Sequence, residues 1–442
     1  MSANIDICTR IEGHATIEYI ISKKELTAVN FKTDVFRGFE EILKGKHRLD
    51  APRIASRICG LCHASQAIAS TRAVEAMLGL QPSPSARVMR AVLMCGELVK
   101  SHALHFYFQG FPDIAAVFHG KQLGLENLVR NDPAFTQSMF ELVKLGKDVC
   151  EAFGGREIHA ISPAVGGKSF TMFPKEITQT RKNLEKIREI SRPVLDDLLN
   201  DYKATSPVDD FAFKNVAYMA LTNKPDVDGI YRQDGELAVE LPSGSVKRVP
   251  PDKFKELIWS EKGLRGYETS IDESIGLLVG PMARMRLGGL EIDDPELKKS
   301  FNSVAAKWKD NMFFNYAVQI LDIHESASMA LGILSGLSGE TPGQQAIPEV
   351  PANAEGTGIV EAPRGTLIHH YSSGTENRLG AVELYIPTRM NTPLIDRMLT
   401  TRCKALSDKG FAMDEIKRRA AMIVRTFDPC ISCATHELHV VA

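Results

Sequence analysis

Residues 57–62 read RICGLC and residues 428–433 read DPCISC, so two Cys-x-x-Cys pairs stand near opposite ends of a chain of 442 residues. Cysteines three positions apart on a helix or a tight turn place both sulfur atoms on one side. Two such pairs that meet offer four sulfur ligands, a set that soft metal ions prefer. The spacing therefore predicts one buried metal site that joins the two ends of the chain, with the first pair on an apolar helix.

The cysteine pattern alone leaves the kind of metal open. A structural zinc ion is a common occupant of two Cys-x-x-Cys pairs. In zinc modules the pairs are typically about 15–20 residues apart, whereas Cys59 and Cys430 are 371 positions apart. This separation excludes a small zinc-binding module but not a zinc ion within a larger core.

The composition is that of a globular protein. Apolar residues make up 44% of the chain and charged residues 24%, and 53 basic residues nearly balance 55 acidic ones. A formal charge of −2 creates no field that attracts nucleic acid or an anionic membrane. No stretch approaches the roughly 18 apolar residues of a membrane span, and the N-terminus does not resemble a signal peptide. We therefore expect no nucleic-acid partner, no membrane span and a cytoplasmic location.

Hydrophobic patterning predicts a mainly α fold with small β elements, an α+β protein with a core of long helices. The expected helices cover 55–80, 84–108, 174–202 and 296–337. Alternation of polar and apolar residues predicts a small β unit over 15–33, and turn signals between short apolar runs predict hairpins in the middle of the chain. We interpret residues 1–442 as a single domain with a β-rich peripheral insertion at about 209–250.

Seven motifs resemble, in order, those of the [NiFe]-hydrogenase large subunit. They are RIEGH at 10–14, FRGFE at 36–40, RICGLC at 57–62, SHALHFY at 101–107, GGREIH at 154–159, EAPRG at 361–365 and DPCISCATH at 428–436. Each is weakly specific alone, but seven in order across nearly the whole chain are highly specific. The resemblance implies the fold of that family and the activity of an oxidoreductase that cleaves dihydrogen reversibly and heterolytically.

The resemblance assigns the four cysteines to a nickel–iron centre. In the family, four thiolates hold nickel, here Cys59, Cys62, Cys430 and Cys433. One cysteine of each pair, here Cys62 and Cys433, also bridges to an iron that carries two cyanides and one carbon monoxide. Soft sulfur suits both metals. Cys430 is then a terminal thiolate that takes a proton from dihydrogen.

Other site residues follow from the same resemblance. Glu12 of RIEGH resembles the glutamate that carries the proton away, and burial would raise the pKa of such a carboxyl toward neutrality, as a relay needs. A single glutamate is otherwise more often a helix cap or a surface group. Arg364 of EAPRG is similar to the arginine above the open metal position, whose guanidinium donates to a cyanide. Pro387 and Thr388 resemble the pocket around the iron ligands, although Pro387 could simply end a strand.

The end of the chain resembles the magnesium site of the family. Its ligands would be His436, the carboxylate of Glu40 and the backbone carbonyl of Leu384. Such an ion ties the last turn to the core. Residues 437–442 form a tail that is shorter than the extension that the family often trims, and the sequence leaves open whether it is removed.

Two residues depart from the pattern of many members. Gln66 stands where many have a histidine, four positions after Cys62, and its amide has the reach to donate to a thiolate. Glutamine occurs there in some uptake and sensory branches. Ser101 stands where membrane-linked, oxygen-tolerant members have an aspartate, so we expect no special oxygen tolerance from this position.

The leading hypothesis is a catalytic subunit that passes electrons to an iron–sulfur small subunit, which hands them to further flavin or iron–sulfur subunits. The remaining cysteines, at positions 8, 95, 150 and 403, are scattered and supply no ligand set for a cluster. One alternative is a hydrogen-sensing regulatory hydrogenase of the same fold. Another is a zinc-bound or metal-free relative, like the related subunit of respiratory complex I, which lacks the cysteine quartet. The electron acceptor, the preferred direction and the oligomeric state stay open.

Overall fold

The computed structural model describes residues 2–33, 38–121, 124, 126–127, 130, 132–170, 172–222, 232–263, 266–270, 275–335, 337, 345–349 and 353–434. In these residues helices dominate and small sheets lie around them, which confirms the α+β prediction. Among the helices described, we find none with the length and apolarity that a membrane crossing requires.

The helices described are α1 (Phe39–Leu43), α2 (Ala51–Ala55), α3 (His63–Leu78), α4 (Pro84–Ala103), α5 (Phe111–His119), α6 (Pro133–Gly154), α7 (Pro174–Ala204), α8 (Pro281–Arg286), α9 (Pro295–Trp308), α10 (Asn315–Leu334), α11 (Pro387–Asp408), α12 (Met413–Thr426) and α13 (Ile431–Ala434). The strands described are β1 (Ser2–Ile7), β2 (Ala15–Ser22), β3 (Glu25–Thr33), β4 (Pro163–Ala164), β5 (Gly167–Lys168), β6 (Val216–Thr222), β7 (Glu236–Glu240), β8 (Val246–Val249), β9 (Trp259–Gly263), β10 (Gly266–Ser270), β11 (Gly276–Leu278), β12 (Glu355–Ala362), β13 (Gly365–Ser373) and β14 (Leu379–Tyr385).

Three of the long helices begin with the same local signal. A side-chain oxygen of Ser83, Asp132 or Asp294 accepts a backbone N–H of the first turn, and a proline follows directly. A capping oxygen satisfies a backbone donor that the helix cannot, and proline fits the first helical position because its missing N–H is not needed there. These residues set where α4, α6 and α9 start.

The core is built from α4, which packs between α6 and α10, and from α3, which packs on β12 and β13. The contact of α3 with the sheet is close because small residues face each other. A Cβ atom on Gly358 of β12 would lie 2.0 Å from the carbonyl oxygen of Ala69 on α3, so only glycine fits there. This packing fixes α3, which follows the first cysteine pair, against the sheet of β12, β13 and β14.

Two predicted helices are interrupted in the structure. The segment 55–80 is not one helix, since α2 ends at Ala55 and α3 begins only at His63, so that Cys59 and Cys62 lie in the connecting loop. The segment 296–337 breaks after Trp308, where Asn311 accepts the backbone N–H of Phe313 and opens a new helical turn before α10. In the second segment, local capping by Asn311 therefore overrides the continuous apolar pattern.

The middle of the chain forms a sheet of order β11-β6-β7-β8, in which β6 and β11 are parallel and the other pairs antiparallel. Strands β6, β7 and β8 lie within 209–250, and every residue of β6 is buried. The interpretation of 1–442 as one domain with a peripheral insertion stays a prediction.

Candidate metal centre

The two cysteine pairs meet in the interior. Cys59 Sγ lies 3.4 Å from Cys430 Sγ, and Cys62 Sγ lies 3.0 Å from Cys433 Sγ. All four sulfur atoms lie within 4.8 Å of one another, and all four residues are buried. The structure thus brings together the quartet that the sequence predicts.

The chemistry of this donor set fits a soft metal cation. Burial raises the pKa of Cys430 and of Cys433 well above the usual range of a thiol. Metals bind the thiolate, so a buried quartet needs a cation whose charge offsets the desolvation of the sulfur atoms. Among the described residues, this quartet is the group of cysteine, histidine and acidic side chains placed to hold a metal.

The first pair is supported by the start of α3. The backbone N–H of Leu61 donates to Cys59 Sγ at 3.3 Å, and Cys62 is the residue that precedes the helix. Glu97 of α4 accepts the N–H groups of Ala64 and Ser65 at 2.6 and 3.0 Å, so a carboxylate caps the helix end next to Cys62. Burial raises the pKa of Glu97 to about 7.

The second pair is supported by the N-terminal segment of the chain. The backbone N–H of Ile431 donates to the carbonyl of Glu12 at 3.1 Å, and the N–H of Ser432 donates to Glu12 Oε2 at 3.0 Å. Gly13 has φ of +84°, and a Cβ atom there would lie 2.8 Å from Ile431 Cβ. Glu12 therefore lies directly beside Cys430. Its side chain is only half-buried, so the burial that we expected of this carboxyl is partial in this chain.

Arg364 is buried and lines the same small cavity as Cys62, Cys430 and Cys433. Its Nε donates to the carbonyl of Asp428 at 2.7 Å, Nη2 donates to Asp428 Oδ1 at 2.8 Å, and Nη1 donates to Ser101 Oγ at 3.1 Å. Burial opposes the charge, but Asp428 and the cysteine sulfurs outweigh it and raise the pKa of Arg364 well above its usual range. The guanidinium therefore stays charged and held in one orientation.

Pro387 and Thr388 lie at the start of α11, directly after β14. The hydroxyl oxygen of Thr388 accepts the backbone N–H of Cys430 at 2.9 Å, so its own hydrogen remains to be donated. Both residues line the cavity beside the sulfur atoms. Its lining is Cys62, Gln66, Ala362, Arg364, Leu367, Ile386, Pro387, Thr388, Cys430 and Cys433.

Two of the three residues expected at the magnesium site are brought together. Glu40 of α1 accepts the backbone N–H of Leu384 through Oε1 at 2.9 Å. His436 and the tail 437–442 lie outside the described residues.

Sequence reasoning missed three residues that shape the site. Asp428, which holds Arg364, belongs to the DPCISCATH motif, but the motif alone indicates no role for it. Glu97 carried a signal, since it is a lone acidic residue within the apolar run MCGELV of 94–99. His369 bonds to Gln66, with His369 Nε2 2.8 Å from Gln66 Oε1, and local sequence contains no sign of this contact because 303 positions separate the two residues.

Comparison with known proteins places these residues in a family context. The family described as nickel-dependent hydrogenase matches residues 37–117 and 335–436, and these two segments contain both cysteine pairs. A chain of the F420-non-reducing hydrogenase of Methanothermobacter marburgensis is 29% identical over 97% of this chain and 93% of that protein. The alpha chain of sulfhydrogenase 2 of Pyrococcus furiosus is 28% identical over 99% of each chain. The beta chain of the NAD-reducing hydrogenase HoxS of Cupriavidus necator is 25% identical over 98% and 94%.

Solved structures share the fold across the whole chain. A NAD⁺-reducing [NiFe]-hydrogenase in the H₂-reduced state has a TM-score of 0.88 at 22% identity, covering 99% of this chain and 100% of that one. The Ni-Fe-Se hydrogenase of D. vulgaris Hildenborough has a TM-score of 0.78 at 21% identity, covering 98% and 100%. The buried cysteine quartet thus lies within the two segments that the nickel-dependent hydrogenase family matches, and the chain has the fold of [NiFe] and Ni-Fe-Se hydrogenases.

Proposed function

We propose that this chain is the catalytic subunit of a [NiFe] hydrogenase, which cleaves dihydrogen reversibly into protons and electrons. The observation that carries the proposal is the convergence of four buried cysteine sulfurs, within 4.8 Å of one another, in the two segments that match the nickel-dependent hydrogenase family. The comparisons give no support to the hydrogen-sensing alternative, because the relatives named above are F420-non-reducing and NAD-reducing hydrogenases.

The quartet would hold the nickel, with Cys62 and Cys433 shared by an iron that carries two cyanides and one carbon monoxide. When bound, this centre supplies the redox chemistry and Lewis acidity that activate dihydrogen. The charged guanidinium of Arg364 and the hydroxyl of Thr388 border the cavity beside the sulfurs, and both are suited to donate hydrogen bonds to the cyanides. Pro387 adds an apolar wall that excludes water from the same space.

Proton movement would start at Cys430 and continue to Glu12. The thiolate of Cys430 accepts the proton, and the carboxylate of Glu12 removes it. The contacts of Glu12 with Ile431 and Ser432 support this order because they hold the carboxyl against the turn that carries Cys430. A half-exposed carboxyl also has access to water, to which a relay must deliver its proton.

A magnesium ion would hold the C-terminal segment against the core. Glu40, the carbonyl of Leu384 and His436 would be its protein ligands, and the bond from the Leu384 amide to Glu40 supports the nearness of the first two. An oxygen-rich site of this kind suits a hard cation. We also propose a cytoplasmic location, which localisation of the native complex would test.

Electron transfer would require partner proteins. The described residues hold no second set of metal-ligating cysteines, so electrons must leave through another protein, which we propose is an iron–sulfur small subunit. The relatives named as subunits of NAD-reducing and F420-non-reducing hydrogenases support additional electron-transfer subunits with flavin or iron–sulfur groups.

The test is anaerobic purification of the native complex, followed by metal analysis and measurement of hydrogen-dependent dye reduction. We expect nickel and iron in the chain, infrared bands of cyanide and carbon monoxide, and turnover with dihydrogen. Zinc in place of nickel, with no turnover, would overturn the proposal and favour the structural-zinc alternative.

A further inference from the structure

A row of buried polar side chains leads away from Cys62 into the protein. Gln66 Nε2 lies 3.9 Å from Cys62 Sγ, and Gln66 Oε1 lies 2.8 Å from His369 Nε2. His369 Nδ1 lies 2.6 Å from the Tyr371 hydroxyl, which lies 2.9 Å from the Ser70 hydroxyl. We call Gln66, His369, Tyr371 and Ser70 the Gln66 network. None of its members is more than 1% exposed, so bulk water does not compete for these bonds.

The network follows from the packing of α3 on β13. Gln66 and Ser70 are four positions apart and share a face of α3, while His369 and Tyr371 are two positions apart and share a face of β13. His370, between them, must therefore face the other way. Its Nδ1 lies 2.9 Å from Thr357 Oγ1, outside the network.

The bonds of the network have a defined direction once Cys62 holds a metal. A metal-bound sulfur has no proton to donate, so Gln66 must present its amide N–H to Cys62 and its carbonyl oxygen to His369. His369 must then donate from Nε2, which leaves Nδ1 of a neutral imidazole as an acceptor for Tyr371. Burial raises the pKa of Tyr371 above its usual value, so its hydroxyl keeps the proton that it donates. Ser70 Oγ lies 2.9 Å from the same hydroxyl, and hydrogen bonds linked in such a network polarise one another.

We propose that His369, supported by Tyr371, is a positioning residue that fixes the amide of Gln66 so that its N–H points at the Cys62 sulfur. The inference rests on the proposed function, in which Cys62 bridges nickel and iron. A hydrogen bond to a thiolate withdraws electron density from it, so the network makes Cys62 a weaker electron donor to the metals. Partners of this kind tune a metal site without touching the metal.

The matched test replaces each of the two adjacent histidines, in separate variants of the native complex, by phenylalanine. His369→Phe removes the donor to Gln66, whereas His370→Phe makes the same change on the opposite face of β13. For His369→Phe we expect the carbon monoxide and cyanide bands to shift to lower wavenumber and the midpoint potential to become more negative, with nickel retained. Turnover should fall about tenfold, as is typical for the loss of such a partner. His370→Phe should leave the bands and the potential at their wild-type values.

Two further variants keep the test decisive. Tyr371→Phe removes one oxygen atom from the network and should shift the bands in the same direction by a smaller amount, even where His369→Phe does not fold. His369→Gln retains an amide donor and should return the bands toward wild type. Unshifted bands in a fully metallated Tyr371→Phe or His369→Phe protein overturn the inference and leave the proposed function intact. Wild-type protein with neither nickel nor these bands overturns the proposed function itself, and the inference with it.

Discussion

The two cysteine pairs have the same spacing but different supports. The pair Cys59 and Cys62 precedes α3, whose first turn is capped by Glu97 of the neighbouring α4. The pair Cys430 and Cys433 depends on segments that are distant in sequence, since the contacts of its turn include Glu12 and Thr388. The first pair is therefore held by the helical core, and the second by the closure of the two chain ends on each other.

The two supports also differ in the elements that supply them. α3 packs on α4, β12 and β13, whereas the turn that carries the second pair is held by Glu12 of the N-terminal segment and Thr388 of α11. Substitutions at the first pair should therefore disturb the packing around α3, while substitutions around the second pair should disturb the contacts between the two chain ends.

The largest effect is expected from loss of a ligand in either pair. Cys62→Ala and Cys433→Ala each remove one of four sulfur donors, so both should abolish nickel retention and hydrogen turnover. Metal analysis and dye reduction measure the two effects. Cys403→Ala is the matched control, since Cys403 is equally buried and lies outside the quartet, and it should retain nickel. Retention of nickel and activity by Cys433→Ala would remove the second pair from the site.

The next largest effect concerns the proton route beside the second pair. Glu12→Gln keeps an oxygen that accepts the N–H of Ser432 but removes the carboxyl that exchanges protons. Hydrogen oxidation and hydrogen–deuterium exchange should fall by about 10²–10⁴-fold, the usual contribution of a positioned acid or base, while the nickel content stays at the wild-type level. Glu18→Gln, on β2 of the N-terminal sheet, is the control and should be fully active. Unchanged exchange in Glu12→Gln would exclude this carboxyl from the route.

The same two pairs indicate what sequence could and could not predict. The quartet, Arg364 and the nearness of Glu40 to Leu384 followed from motifs, because the chemistry of a metal site restricts residue type more strongly than position along the chain. The placement of Cys59 and Cys62 on a helix was wrong, because the cap that delays the start of α3 to His63 comes from Glu97, a residue of another helix. The bond between Gln66 and His369 was missed for the same reason: it depends on how α3 packs on β13.

A smaller effect, on stability, is expected from alanine at the glycine that lies next to each pair, Gly60 within the first pair and Gly13 against the turn of the second. Gly13→Ala adds a methyl group 2.8 Å from Ile431 Cβ at a residue with φ of +84°, so both contact and backbone strain oppose it. We expect a loss of about 1–3 kcal/mol in the free energy of unfolding and weaker closure of the second pair. Gly60→Ala, between Cys59 and Cys62, meets only Ile158 Cγ2 at 4.0 Å and should be tolerated. Denaturant unfolding of both variants measures the contrast, and equal losses would show that the first pair is as tightly enclosed as the second.

The smallest effect is the pH dependence of the free energy of unfolding that arises from Glu97, which caps α3 beside the first pair. Burial raises the pKa of this carboxyl from 4.5 to about 7, so between these values the unfolded chain has released a proton that the folded chain keeps. Stability from this group is therefore fully present below about pH 4.5, falls as the pH rises toward 7 and is constant above it. The expected change is of the order of 1–3 kcal/mol.

Two variants isolate the contribution of Glu97 when denaturant unfolding is measured between pH 4.5 and about 7. Glu97→Gln cannot titrate, so the decline between pH 4.5 and about 7 should be reduced by the contribution of this group. Ser65→Ala removes the hydroxyl that donates to Glu97 but keeps the carboxyl, so it should lower stability and retain the decline. A decline of equal size in Glu97→Gln and wild type would mean that the cap of α3 is ionised throughout, and the first pair would then depend on a fixed charge at the helix N-terminus instead of a titrating one.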